Sequence, residues 1–174
     1  MMHYEVQDSR TWKTQYQIIM AIGECGCQAA LPTLEALTQH IFEAPIVYLA
    51  LGDAIVRLQR DGAFTHLITD AMHAENNMLL AGAMRAVAML HLRLDCTIVA
   101  SIINYATQGL TNDRAAILFF YREEVHLWLA AGAARWDCPT VPAFLQWCLH
   151  SDRQDVQRAA RASLQKTYLK WRPL

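Results

Sequence analysis

An all-α fold, arranged as a solenoid of about four to five antiparallel helix pairs in one domain over residues 1–174, is predicted by three observations. Ala, Leu, Met, Gln, Arg and Ile dominate the chain, and apolar residues recur at three- and four-residue spacing, the period of a helix. Strand-like alternation of apolar and polar residues is hard to find. The 7 Gly and 5 Pro are few, and most are expected at breaks between long helix-forming runs.

The elements are delimited by those breaks. Asp8 or Ser9 can cap a helix that reaches about Ile22, with Trp12, Tyr16, Ile19 and Ile22 on one face. Gly23–Cys27 makes a turn. A second helix is expected from about Gln28 to Phe42, with Leu31, Leu34, Leu37 and Ile41 inward. Pro45 suits the first turn of a third helix, where its missing N–H costs nothing. That helix reaches about Gln59 and stops at Asp61-Gly62. Further helices are expected near 63–73, 76–91, 95–108, 139–150 and 153–170, and the 113–136 stretch holds one long helix or a short one followed by a regular one.

Composition narrows the function classes. The chain is 54% hydrophobic and 18% charged, against roughly 25% charged in a typical soluble domain. That apolar content excludes disorder. Uncharged stretches such as Cys96–Asn112 are interrupted by Asn104 and Gln108 and fall short of the roughly 20 apolar residues of a membrane span, so no membrane association is expected. Met1-Met2-His3-Tyr4-Glu5 has no signal-peptide character. The five cysteines (Cys25, Cys27, Cys96, Cys138, Cys148) are odd in number and show no CxxC spacing. A cytoplasmic location is therefore expected, with reduced thiols serving mainly as small core residues. The net charge of −1 argues against a general nucleic-acid binder. Charge is nevertheless asymmetric: residues 1–150 carry 9 basic and 14 acidic side chains, and residues 151–174 carry 6 and 2.

A repeat underlies the pattern. Ala21–Leu34 lies over Ala54–Leu67 at an offset of 33, and Thr65–Ala71 over Ala100–Ala106 at an offset of 35. Leu31-Pro32-Thr33-Leu34 matches Val141-Pro142-Ala143-Phe144, 110 positions on. Gly23-Glu24-Cys25-Gly26 followed by Ala30-Leu31-Pro32-Thr33-Leu34-Glu35-Ala36-Leu37 resembles the turn and first helix of HEAT or HEAT-like repeats, including the bilin-lyase type. Asp155-Val156-Gln157-Arg158-Ala159-Ala160-Arg161-Ala162-Ser163-Leu164 resembles the second helix of such a repeat. The resemblance covers about two thirds of the chain and implies a superhelix whose neighbouring pairs bury each other's apolar faces. It also implies a polar outer face at the chain end, which Arg153, Arg161, Lys166, Lys170 and Arg172 supply.

No residue set names a reaction, so no catalytic residue, cofactor or metal is assigned. His66, Asp70 and His73 share a helical stripe with zinc-ligand chemistry, but a second ligand set is missing and a solvated face is expected. Cys25 and Cys27 could form a reactive or metal-binding pair; a structural turn is the plainer alternative. In Arg122-Glu123-Glu124-Val125-His126 the adjacent carboxylates point about 100° apart on a helix, so a solvated or interface-forming helix start is expected. The five tryptophans (Trp12, Trp128, Trp136, Trp147, Trp171) are expected to be mainly packing residues. Arg57, Arg85, Arg122, Arg158 and Arg161 all fall on second helices of pairs, the concave side of a HEAT-like stack. They form either a ladder for an acidic partner or ion pairs between repeats. The expected function is a non-catalytic protein-interaction scaffold. A nucleic-acid-binding or repair protein like the HEAT-like DNA glycosylases, and a chromophore-handling protein like the bilin lyases, are the alternatives that the resemblance implies.

Overall fold

The computed structural model describes residues 11–108 and 115–169, with side chains excluded for 115–120. Among the described residues there are nine α-helices and no strand. They are α1 (Trp12–Glu24), α2 (Leu31–Leu37), α3 (Ile46–Leu58), α4 (Thr65–His73), α5 (Asn77–Met89), α6 (Cys96–Thr107), α7 (Ala115–Gly132), α8 (Val141–Cys148) and α9 (Gln154–Leu164). The all-helical expectation stands. The chain divides into two compact units, Met1–Ala86 and Val87–Leu174, with α5 beginning in the first and ending in the second. The caps expected at Asp8 or Ser9, and the residues Lys170, Trp171 and Arg172, lie outside the described residues.

In the first unit α1 and α2 both pack on α3. Leu34, Val47, Leu51, Ile55, Ile68, Leu80 and Met84 are fully buried, each contributing about 1.5–3 kcal/mol relative to an exposed side chain. The helices approach closely because glycine sits at their crossings. A Cβ on Gly23 would lie 2.6 Å from Ala54 Cα, one on Gly52 2.7 Å from Ala83 N, and one on Gly82 2.7 Å from the Leu49 carbonyl carbon. Helix backbones therefore touch there. Gly23, Gly52, Gly82 and Gly132 are helical, and among the described residues only Gly26 and Gly62, with φ of 69° and 99°, occupy turns that require glycine's freedom. The expectation that glycines mark breaks is corrected for those four. Pro32 and Pro142 lie in the first turns of α2 and α8, whereas Pro45, expected in the first turn of the third helix, stands just before it as the N-cap of α3.

The second predicted helix is shorter than expected. A 3₁₀ turn at Gln28–Ala30 leads into α2, which ends at Leu37. The Tyr48 hydroxyl donates to the His40 carbonyl (2.6 Å) and accepts from the Phe42 N–H (3.3 Å), tying the following loop to α3. Phe42 turns inward against Tyr48, and Ile41, expected inside, is 88% exposed.

In the second unit α9 packs on α7 and α8, and α6 on α7 and α8. Ser163 Oγ, buried, donates to the Ala130 carbonyl at 2.6 Å, fixing α9 against α7. Asp95 caps α6, its carboxylate accepting from the Thr97 N–H at 2.8 Å. Bonds from the Thr97 side chain and backbone hold its pKa below the ordinary carboxylate value. A single helix, α7, followed by a 3₁₀ turn at Ala133–Arg135, fills most of the stretch left open between one helix and two.

The cysteines depart from expectation. Cys96 and Cys138 form a disulfide across 42 residues, while Cys25 and Cys27 are exposed. Only Cys148 behaves as a small core residue, and burial pushes its thiol up to about 12. Disulfides are rare in cytosolic proteins, so cysteine usage no longer supports the cytoplasmic expectation. Closing a loop of this length restricts the unfolded chain, and Cys96→Ser is expected to lower the unfolding free energy of the second unit by about 4 kcal/mol. Urea unfolding of the variant beside the parent checks this. Dithiothreitol should destabilise the parent alone, and equal stability of the two proteins would mean the crosslink contributes nothing.

Candidate interaction surface

The five arginines singled out in the sequence meet different fates. In the first unit, α3 carries Asp53 and Arg57 one turn apart, and α5 brings Arg85 to the same carboxylate. Arg57 Nε donates to Asp53 Oδ1 at 2.5 Å and Arg85 Nη1 to Oδ2 at 2.8 Å, while Asp53 is wholly buried. The side chains of Arg57 and Arg85 are only 11% and 20% exposed. These two residues join α3 to α5 through one buried acid, so they brace the fold rather than project a charge.

In the second unit, Arg122 on α7 reaches back to the end of α6. Its Nη1 donates to the Gln108 carbonyl at 2.6 Å, and its guanidinium lies over the Tyr105 ring at 5.1 Å. Next along α7, Glu124 meets Arg153, whose Nη1 donates at 2.7 Å. Arg153 Nη2 donates to Asp155 at 2.6 Å. Burial works against the Arg153 charge, but Asp155 and Glu124 together hold its pKa above the ordinary value. Arg153, expected among the outward charges of the chain end, is thus an internal brace.

His126 lies on the inward face of the same helix, correcting the expectation of a solvated helix start. It is 7% exposed, Nε2 lies 2.9 Å from the Ala106 carbonyl, and Trp147 of α8 meets its ring edge-on at 4.9 Å. Burial first, then the positive charges of Arg122 and Arg153, lower its pKa despite the Ala106 carbonyl. This favours the neutral imidazole, and the contact with the Ala106 carbonyl places the ring proton on Nε2. A histidine whose folded pKa is below its unfolded value of about 6.5 binds its proton more readily when unfolded. Its contribution to stability is intact above that value and is lost as pH falls from there through the lower folded pKa. Urea midpoints measured between pH 7.5 and 5.5 should fall for the parent and fall less for His126→Gln. Parallel slopes would remove His126 as the cause.

Trp128 and Trp136 are buried packing residues as expected, and Trp136 Nε1 donates to the Leu92 carbonyl at 3.1 Å. Trp147 is 47% exposed, which its helical spacing did not signal. A cavity of about 300 Å³ also lies in this unit, lined by Trp136, Pro139, Pro142, Leu145 and Leu164, with Asp137 and Lys166 beside them. His66, Asp70 and His73 are exposed on α4. No group of three or more potential metal ligands is found among the described residues.

Arg158 and Arg161 remain on the exposed face of α9. Arg161 donates to Gln157 of the same helix at 2.9 Å, a contact that leaves its charge unneutralised. The opposite face of α9 is built from Val156, Ala159, Ala160 and Ser163, all buried. One short helix is thereby apolar inward and cationic outward.

Fold and site define an all-helical protein in which arginine–carboxylate pairs brace both units, around a buried Asp53 in the first and half-buried in the second. No helix among the described residues is long and apolar enough to cross a membrane. Compared with protein-family models, curated proteins and solved structures, the chain matches none.

Proposed function

We propose that this chain is a non-catalytic, HEAT-like helical-repeat scaffold that binds an acidic protein partner through Arg158 and Arg161 of α9. The observation that carries the reading is the exposure of these two cations on a helix whose inner face is consumed by packing, whereas Arg57 and Arg85 are spent on Asp53. The repeat is supported by alternate helices meeting in chain order within each unit. Gly23 of α1 abuts Ala54 of α3, Gly52 of α3 abuts Ala83 of α5, and Ser163 of α9 bonds to Ala130 of α7. It is supported too by Leu34 and Phe144, the apolar residues after the two helix-opening prolines, both buried as their matched positions require.

A fluorescein-labelled Glu-rich peptide tests the reading by anisotropy. Binding should weaken as salt rises and should be about tenfold weaker, roughly 1.4 kcal/mol, for Arg158→Glu/Arg161→Glu. Substitutions on this exposed face should leave stability within about 0.5 kcal/mol. Unchanged affinity in the double variant would sink the proposal, and tighter binding to a DNA duplex than to the peptide would favour the nucleic-acid alternative. Arg85→Glu is not a substitute, because it would place a second carboxylate beside Asp53 and test the fold.

A further inference from the structure

The end of α1 holds a feature that neither the scaffold reading nor the core uses. Cys25 and Cys27 are both exposed and flank Gly26, whose φ is 69°. Two backbone bonds pin the turn, Gly26 N–H to the Gly23 carbonyl (3.2 Å) and Cys27 N–H to the Ile22 carbonyl (3.1 Å). Gln28 anchors the far side of the turn, its Nε2 donating to the Leu58 carbonyl at 2.7 Å. The two thiols thus stand on a rigid, water-facing loop.

The torsions decide what the pair can do. Cys25 has φ −75° and ψ −8°, Cys27 has φ −72° and ψ 83°, and the glycine between them is left-handed. With the glycine left-handed, the chain turns back between the two cysteines and both side chains leave the same side of the turn. A continuous helix would have sent side chains two residues apart to opposite sides. Gly26 is what brings them together, since a Cβ there would disfavour the left-handed conformation.

We propose that Cys25 and Cys27 form an exposed dithiol couple that exchanges with low-molecular-weight disulfides such as oxidised glutathione. In the first step the thiolate of one cysteine attacks a sulfur of the small disulfide. A mixed disulfide forms, and one glutathione thiolate leaves and takes up a proton. In the second step the neighbouring cysteine, deprotonated, attacks the protein sulfur of the mixed disulfide. The Cys25–Cys27 bond forms and the second glutathione leaves as a thiol. The two protein thiols are oxidised by two electrons and the small disulfide is reduced to two thiols. Exposure supplies access, and the turn supplies proximity for the second step.

Peptide mapping tests this on the full chain. Folded protein is incubated with oxidised glutathione, alkylated with iodoacetamide, digested with trypsin without reduction and weighed. The peptide from Thr14 to Arg57 contains Cys25 and Cys27 and no other cysteine. It should lose two hydrogens and both alkylation sites, and excess dithiothreitol should restore both. Cys27→Ser should instead accumulate one glutathionyl group on Cys25, with an unchanged helical circular-dichroism spectrum. The proposal is overturned if the parent peptide is alkylated at both cysteines or carries two glutathionyl groups. Crosslinking to a second chain in place of the internal bond would overturn it as well.

Discussion

Gly82→Val is expected to lower the unfolding free energy by about 4 kcal/mol, at the upper end for overpacking. The cause is the contact of α5 with α3. A Cβ at Gly82 would lie 2.7 Å from the carbonyl carbon and 2.9 Å from Cα of Leu49, and would strike the Leu49 carbonyl oxygen. Backbone cannot rotate away as a side chain can, so the two helices must separate. Separation also opens the reciprocal contact at Gly52, whose added Cβ would lie 2.7 Å from Ala83 N. Gly82→Ala makes the test discriminating. In an open helix interior that change stabilises by about 1 kcal/mol through propensity. Here it should destabilise, with the loss growing from Ala to Val in urea unfolding. A stabilising Gly82→Ala would show that the helices do not touch.

Asp53→Ala is expected to cost about 3–5 kcal/mol, the usual penalty when one partner of a buried ion pair is removed. Each carboxylate oxygen holds one guanidinium, and without it two largely buried cations face each other uncompensated. The loss should come from that repulsion and desolvation rather than from the absence of an attractive pair. Replacing all three residues together by Leu at 53 and Met at 57 and 85 should therefore recover most of it, since apolar groups of similar volume often serve as well as a buried ion pair. Thermal and urea unfolding of the single and triple variants check both halves. Equal stability of Asp53→Ala and the parent would mean the cluster is solvated.

This cluster bears on function through subtraction. Repeat spacing alone placed Arg57, Arg85, Arg122, Arg158 and Arg161 on one kind of helix, and no local pattern distinguished a bracing arginine from a presented one. Asp53 sits one helical turn before Arg57, which a sequence could suggest, but Arg85 reaches the same acid from 32 residues away. Arg153 likewise has a local partner in Asp155 and a distant one in Glu124. The remaining exposed pair on α9 is legible only after those assignments.

Helical spacing of apolar residues, first-turn prolines and the near absence of alternation together determined that this chain is all-helical, and located most helices to within a few residues. Those signals are local, because a helix closes its hydrogen bonds four residues apart. Tertiary packing decided which glycines serve crossings rather than turns, which cysteines join, whether His126 is wet or buried, and which arginines are spent. Each of those outcomes depends on a partner brought near by folding, often many helical turns away in the chain, where no local period carries information.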